Sequence, residues 1–394
     1  MGQEISEDLK LILDTVRRFV AQDLEPLGRR VEEEDRIPDE IVQKMRDLGL
    51  FGLAVPEEYG GLGLSTLGEV MVYEELAKTN ACFRTRLSTS NGIGSMGILL
   101  DGTEEQKRRY LPRIASGEWT AAFALSEPEA GSDAANISTK AEPAGDDWII
   151  NGRKHFITNG DCAHVFTTMA VTDKEKGARG GITAFIVESD RPGFSIGVRE
   201  KKMGVRGSHT VELLFDDCRV PRDRVIGGEP MIGQGFKTAM KVLDKGRLTM
   251  GAASVGAAQK LLDMSVEHAR QRVQFGKPIG EFQMIQAMLA DMATEVYAGR
   301  QMLYHAAALR DEGRRITREA SMVKLFCTEM VGRVADKAIQ IHGGMGYMKD
   351  LPVEMYYRDV RLYRIFEGTS EIQRLVIARD LLSEREEGRR RGSG

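Results

Sequence analysis

Three long stretches of helical periodicity constrain the fold more than any other feature of this sequence. From about residue 231 onward, apolar residues recur at helical spacing over roughly 233–272, 281–311 and 317–341. Amphipathic helices of this length need partners that cover their apolar faces. A fourth helical pattern follows Glu367. The sequence therefore predicts a four-helix bundle in the last part of the chain.

The chain before this bundle changes from one pattern to another near residue 119. The first part has helical spacing, including a capping box at Thr103–Gln106 that predicts a helix reaching about Pro112. Between 119 and about 225, short runs rich in Val, Ile, Phe and Thr are separated by Gly, Asp and Pro, which favours an antiparallel β-sandwich or barrel. We expect a mostly helical α+β protein with an N-terminal helical domain (1–118), a middle β domain (119–230) and a C-terminal helical bundle (231–394).

Composition excludes several classes of function. The 394 residues are 42% hydrophobic and 29% charged, with a net charge of −4 and a pI near 6.0, so neither nucleic acid nor a membrane surface is an expected partner. The four cysteines and six histidines lack metal-ligand spacing, so we expect no metal site. We see no spanning segment and no secretory signal, and expect a cytoplasmic or organelle-matrix protein. Residues 1–6 fit a myristoylation pattern, but the acidic start of an amphipathic helix accounts for them better.

Glu367 lies at a predicted turn between two helical patterns. Ile365 and Phe366 precede it, Gly368 permits a tight bend, and Thr369 or Ser370 can cap the next helix. An apolar surrounding raises the pKa of a carboxyl group towards neutrality, which suits a general base. The alternative is an acid that only complements the helix dipole, and this stretch alone does not decide between them.

Five stretches, taken in order, resemble the acyl-CoA dehydrogenase family of flavoproteins. They are LSEPEAGSD at 125–133, KHFITNG at 154–160, RVQFGK at 272–277, QIHGGMGY at 340–347 and the segment 357–379 around Glu367. The resemblance covers nearly the whole chain, and a short-chain or glutaryl-CoA dehydrogenase-like branch is suggested. It implies FAD as cofactor, with α,β-dehydrogenation of an acyl-CoA thioester and Glu367 as the base. It also implies an electron-transfer flavoprotein as the acceptor and a homotetramer built as a dimer of dimers.

The resemblance also implies which residues meet the cofactor and the substrate. Those expected at the flavin ring are Phe123, Leu125, Ser126, Gly131, Ser132, Phe156, Ile157 and Thr158. Those expected at the pyrophosphate and adenosine of FAD are Arg272, Gln274, Phe275, Phe282, Gln283, Gln340, Ile341, Gly343, Gly344, Thr369 and Glu371. Those expected at the substrate are Arg84, Ser132, Asp244, Arg247, Phe366 and Gly368. Some relatives place their base at the position of Gly246, but the glycine here has no side chain that could act as a base.

Arg84 leaves the substrate class open. Glutaryl-CoA dehydrogenases carry an arginine after an aromatic residue at this place, and such an arginine would pair with a carboxylate at the far end of the acyl chain. The alternative is that Arg84 and Arg86 face solvent or an acidic partner. Two rivals to the dehydrogenase remain: a flavin-dependent acyl-CoA oxidase on the same fold, and a helical scaffold that has lost catalysis.

Overall fold

A computed structural model describes residues 5–391, with side chains described up to residue 383. The myristoylation pattern falls largely on residues outside this range, and so do the side chains of the basic segment 389–391. No helix among the described residues is long and apolar enough to cross a membrane.

Seven α-helices form the first part of the chain. Two π-helical segments, Val20–Leu24 and Thr89–Gly94, interrupt this helical region. The α-helices are α1 (Glu7–Phe19), α2 (Gly28–Glu34), α3 (Asp39–Asp47), α4 (Thr66–Leu76), α5 (Ala81–Ser88), α6 (Met96–Asp101) and α7 (Glu104–Ala115). The capping box at Thr103 and Gln106 forms as predicted. The helix that it starts continues past Pro112 to Ala115, so the predicted end was three residues early.

A mixed seven-stranded sheet forms the middle of the chain. Its strands are β1 (Ala121–Ala124), β2 (Lys140–Ala144), β3 (Asp147–Thr158), β4 (Val165–Val171), β5 (Ile182–Glu188), β6 (Phe194–Arg199) and β7 (Thr210–Pro221). They follow the order β1-β4-β2-β3-β7-β6, with β5 paired to β4. Most pairs are antiparallel, but β4 runs parallel to both β1 and β2. The runs rich in Val, Ile, Phe and Thr correspond mainly to β1, β3, β4, β5 and β7, whereas β2 and β6 are largely solvent-exposed strands.

The last part contains the predicted long helices. They are α8 (Gly235–Gln271), α9 (Gln283–Asp311), α10 (Thr317–His342), α11 (Gly344–Tyr347), α12 (Val353–Tyr363) and α13 (Ser370–Arg391), with a short hairpin of β8 (Val273–Gln274) and β9 (Lys277–Pro278) after α8. Helix α10 packs against α8, α9, α12 and α13. The four-helix bundle is therefore present, with the shorter α12 packed alongside.

One hydrophobic core joins the first and last parts of the chain. Buried residues of the N-terminal helices, such as Leu13 and Val72, belong to the same cluster as Leu248, Leu303 and Val331 of the bundle. A second cluster joins α7, one face of the sheet and the start of α8, and a third covers the other face. Because α8 takes part in two of these clusters, it fixes the sheet relative to the bundle. The turn that carries Glu367 lies beside this helix.

Candidate active site

Glu367 occupies a strained turn between α12 and α13. Its φ angle is 54°, and Gly368 follows with a φ of 89°. A left-handed backbone costs a non-glycine residue energy and tends to persist at functional sites, where surrounding contacts enforce it. Thr369 caps the next helix, because its Oγ1 accepts a hydrogen bond from the N–H of Ile372 at 3.3 Å. The predicted turn and cap are therefore present, with Thr369 rather than Ser370 as the cap.

Three contacts hold this turn in place. The N–H of Ser370 donates to the carbonyl oxygen of Arg364 at 3.1 Å, which closes the loop. The carbonyl oxygen of Gly368 accepts from Lys324 Nζ at 2.7 Å and from Gln373 Nε2 at 2.9 Å. Side chains from two different helices thus fix the peptide between Gly368 and Thr369, one residue after Glu367.

The carboxyl group of Glu367 points at α8. A Cβ added to Gly246 would lie 2.2 Å from Glu367 Oε2, so the glycine provides the space that the carboxylate fills. This oxygen is buried and has no hydrogen-bond partner among the described residues. Burial raises the pKa of Glu367, and the cations of Arg84, Lys324 and Arg247 partly oppose that rise. A desolvated carboxylate with a free oxygen can accept a proton from a bound molecule.

Arg84 lies in the interior, on the side of α5 that faces this turn. It is 2% exposed, so the alternative in which it faces solvent is wrong. Its guanidinium donates to Ser88 Oγ at 2.9 Å and to Thr85 Oγ1 at 3.1 Å, and lies 5.9 Å from the ring centroid of Tyr363. Its Nε is buried without a hydrogen-bond partner among the described residues. Arg86 instead donates to Cys162 Sγ at the edge of the middle domain.

Two further substrate candidates form an ion pair near the turn. Arg247 Nη1 lies 2.6 Å from Asp244 Oδ1, and Asp244 Oδ2 accepts from Thr317 Oγ1 at 2.8 Å. Burial lowers the pKa of Arg247, which its neighbour Asp244 counteracts. Phe366 stacks on Tyr363 with ring centroids 5.8 Å apart. Aromatic rings and buried cations therefore both lie close to the turn.

The two segments predicted to face the flavin ring are tied to each other. The N–H of His155 donates to the carbonyl oxygen of Ser126 at 2.9 Å. Lys154 Nζ donates to the carbonyl oxygen of Leu125 at 3.1 Å and forms a buried ion pair with Glu127 at 2.7 Å. Burial alone would raise the pKa of Glu127, but Lys154 and hydrogen bonds from residues 138 and 139 lower it to about 2. Burial lowers the pKa of Lys154 to about 8.

Phe156 presents a largely exposed ring, although the ring of His155 lies beside it with centroids 4.1 Å apart. A register shift in β3 gives it a φ of 59°, and the residue is 64% exposed. Such bulges often turn a side chain towards a site. The side chain of Ile157 is buried in the sheet core, so the predicted contact of this residue with the flavin would come from its backbone. The other predicted flavin residues that keep some exposure are Phe123, Ser126, Gly131, Ser132 and Thr158, whereas Leu125 is buried.

The residues predicted for the adenosine end form a more open group. His268 and His342 stack with ring centroids 4.4 Å apart, which places the ends of α8 and α10 together. Phe275 lies at the tip of the β8–β9 hairpin and is 94% exposed, with Phe282 6.0 Å away. Ile341 is buried in the bundle core, so its side chain does not face this surface. The residues of this group that are exposed are Arg272, Gln274, Gln283, Gln340, Gly343, Gly344 and Glu371.

Sequence reasoning missed the residues that hold the turn and the flavin segments. Lys324 and Gln373 fix the carbonyl of Gly368, while Lys154 and Glu127 join two loops. One signal was available in the sequence: Lys324 interrupts the apolar face of its helix between Val323 and Cys327. A lysine at such a position is buried only when a partner meets its ammonium.

The described residues contain no group of three or more His, Cys, Asp or Glu side chains placed to hold a metal ion. The exposed ring of Phe156, beside the tied segment 125–132, instead offers an apolar face with polar backbone around it. This arrangement fits a flat aromatic ligand such as a flavin, which packs on an aromatic ring and takes hydrogen bonds at its edge.

Comparison with known proteins covers almost the full chain. The profiles of the acyl-CoA dehydrogenase N-terminal, middle and C-terminal domains match residues 6–118, 122–218 and 233–382. An acyl-CoA dehydrogenase of Bacillus subtilis (strain 168) is 42% identical over 96% of this chain and 99% of its own length. The butyryl-CoA dehydrogenase of Megasphaera elsdenii has a TM-score of 0.93 at 38% identity, covering 97% of this chain and 100% of the other. A glutaryl-CoA dehydrogenase in complex with glutaryl-CoA has a TM-score of 0.92 at 38% identity, covering 97% of each chain.

These matches extend across all three parts of the fold and agree with the architecture described above. FAD is the cofactor of the proteins that share it. The chain therefore belongs to the acyl-CoA dehydrogenase family and is an FAD-dependent oxidoreductase.

Proposed function

We propose that this protein dehydrogenates an acyl-CoA thioester between its α and β carbons, with Glu367 as the base that removes the α proton. The observation that carries the proposal is the buried Oε2 of Glu367, which lacks a hydrogen-bond partner among the described residues and lies on a strained turn. A base of this kind needs a pKa raised from its usual value and a fixed position relative to the carbon acid. Burial raises the pKa of Glu367, and the contacts of the turn fix its position.

The chain's own residues supply positioning and charge. FAD, when bound, accepts a hydride from the β carbon. The segments 125–132 and 154–158 would hold the flavin ring, with Phe156 packed on it. The N–H of Glu367 makes no hydrogen bond to the described residues, so it is free to donate to the thioester oxygen and stabilise the negative charge that develops there. Proton removal and charge stabilisation would thus come from a single residue.

Substitution of Glu367 by glutamine tests this assignment. Glu367→Gln keeps the size of the side chain but cannot take a proton, so it should bind substrate and FAD while flavin bleaching under anaerobic conditions slows by about 10²-fold or more. Glu312→Gln is the control, because Glu312 is exposed at the end of α9. Bleaching of Glu367→Gln at the wild-type rate would refute the assignment.

A second candidate substrate class is the dicarboxylyl-CoA thioesters. Arg84 is a buried cation, and the ion pairs of the described residues do not include it. Burying an unpaired charge is costly, and a carboxylate at the far end of an acyl chain would pair with it. Similarity does not choose between the classes, since the butyryl-CoA and glutaryl-CoA enzymes match at equal identity.

A panel of straight, branched and dicarboxylic acyl-CoAs separates the two candidates. Arg84→Ala should weaken activity on dicarboxylyl-CoAs by at least about thirtyfold, the effect of losing one buried charge pair worth about 2 kcal/mol. Because Arg84 also lowers the pKa of Glu367, rates should be compared well above the acid limb of the pH profile. Arg86→Ala is the matched control two residues away. Equal losses on butyryl-CoA and glutaryl-CoA would contradict the dicarboxylate proposal.

We further propose that electrons pass to an electron-transfer flavoprotein and that the protein assembles as a dimer of dimers. Support for assembly comes from Phe275, whose ring is 94% exposed at the adenosine end of the predicted FAD site. A ring this open at the predicted FAD site is available for contact with a ligand or with another chain. The electron acceptor can be tested by measuring peroxide during aerobic turnover. Peroxide that forms at the rate of substrate oxidation would favour the oxidase alternative over electron transfer to a flavoprotein.

A further inference from the structure

Lys324 is a buried cation whose charge has no role in the function proposed above. It lies in α10, its side chain is fully buried, and its Nζ donates to the carbonyl oxygen of Gly368 at 2.7 Å. None of the ion pairs found among the described residues includes it. An ammonium in the interior without a carboxylate partner is unfavourable unless its charge serves another purpose.

Several charged groups surround this ammonium. Glu367 stabilises its charge most strongly, Arg247 on α8 repels it, and Glu329 and Glu371 on α10 and α13 add smaller attractions. From α5, the guanidinium of Arg84 also acts on Glu367, and Asp244 on α8 neutralises Arg247 at 2.6 Å. The pKa of Lys324 is lowered to about 8 by burial. The carboxyl group of Glu367 opposes this fall and favours the charged form of the ammonium.

We propose that Lys324 is a positioning residue for Glu367, which fixes the turn through the Gly368 carbonyl and stabilises the ionised form of the carboxyl group. This inference rests on the proposed role of Glu367 as base. Two functions are combined in one ammonium: a hydrogen bond that enforces the left-handed backbone, and a charge that limits how far burial raises the pKa of the base.

Gln373 allows the two functions to be separated. Its Nε2 donates to the same Gly368 oxygen at 2.9 Å and to the Glu367 carbonyl oxygen at 3.4 Å, but it carries no charge. Gln373 is fully buried on α13, so it approaches the turn from the opposite helix. Removal of Gln373 loosens the turn alone, whereas removal of Lys324 loosens the turn and also removes a cation from the carboxyl group.

The pH dependence of anaerobic flavin bleaching measures this difference. In Lys324→Met the pKa of Glu367 should rise, because a nearby positive charge is gone, and the acid limb of the rate profile should move to higher pH by about one unit. In Gln373→Met the maximal rate should fall while the acid limb stays in place. Hydrogen exchange of the peptide containing Glu367 should be faster in both variants. Lys337→Met, which removes a partly exposed lysine more than three turns along the same helix, should change neither measurement.

The outcomes test the role of Lys324 separately from the role of Glu367 as base. The inference about Lys324 is refuted if folded, FAD-loaded Lys324→Met keeps both the wild-type bleaching rate and the wild-type acid limb. In that case the proposed function still stands, provided that Glu367→Gln is inactive. If Glu367→Gln bleaches at full rate, the proposed function itself fails. Should Lys324→Met not fold, Lys324→Gln retains a neutral donor, and its acid limb must still move to higher pH. An unmoved limb in Lys324→Gln would likewise refute the role of the charge.

Discussion

The contact between Gly246 and the carboxylate of Glu367 gives a sharp prediction for Gly246→Ala. The new Cβ would lie 2.2 Å from Oε2, and ordinary contacts begin near 3.4 Å, so the carboxylate has to move by about 1 Å. A misplacement of about 1 Å at a reacting group can cost about a hundredfold in rate. Because the end of the side chain can swing back part of the way, we expect flavin bleaching to slow by about ten- to a hundredfold.

The thermal stability of Gly246→Ala should not fall together with its rate. Gly246 lies in the interior of α8, where alanine is favoured over glycine by about 1 kcal/mol. The nearest atom besides the carboxyl group is Ile93 Cγ2 at 3.2 Å, a side-chain methyl that can shift slightly. The melting temperature should therefore stay unchanged or rise while the rate falls, which a general loss of structure would not produce.

Anaerobic stopped-flow absorbance of the flavin, together with thermal unfolding and FAD content, checks both parts. Gly28→Ala is the control, because a Cβ at the start of α2 would meet nothing within 4 Å. Bleaching at the wild-type rate in a fully loaded Gly246→Ala protein would refute the argument, since the carboxylate would then not need the space beside Gly246.

Two further predictions concern stability. Lys154→Met leaves Glu127 buried without its partner, so the free energy of unfolding should fall by about 3–5 kcal/mol and FAD should dissociate more readily. Denaturant titration and flavin release measure these two effects, and unchanged values would contradict the conclusion that Lys154 and Glu127 hold the two flavin segments together. The second prediction concerns Asp359. Burial raises the pKa of this carboxyl group to about 7, although a hydrogen bond from the N–H of Val205 acts to lower it. Its protonated form is thus favoured in the fold, and the stability it contributes is complete below about pH 4 and is lost as the pH rises through 7. The melting temperature of Asp359→Asn should vary less between pH 5 and 8 than that of the wild type, and parallel curves would count against this.

Much of the architecture could be predicted because it depends on local patterns. The apolar spacing along α8, α9 and α10 identified the bundle, and the capping box at Thr103 identified the start of α7. The end of α7 was misplaced because Pro112 is tolerated in its last turn, where the helix is already established. Strands β2 and β6 are harder to recognise in the sequence because both are largely solvent-exposed, and pairing with β3 and β7 holds them in the sheet.

The neighbourhood of Glu367 in the sequence made it a candidate base, since a carboxyl group between apolar residues and a glycine turn suggests a raised pKa, but the choice against an acid that only complements the helix dipole came from the resemblance to the family. The sequence could not provide the groups that set this pKa. Lys324 and Gly368 are 44 residues apart, and Arg84 and Gly246 come from other helices still further away along the chain. Periodicity and caps are properties of neighbouring residues and can be read in order. The space beside a carboxylate and the charges that face it arise only when distant helices pack, so only the tertiary structure decided them.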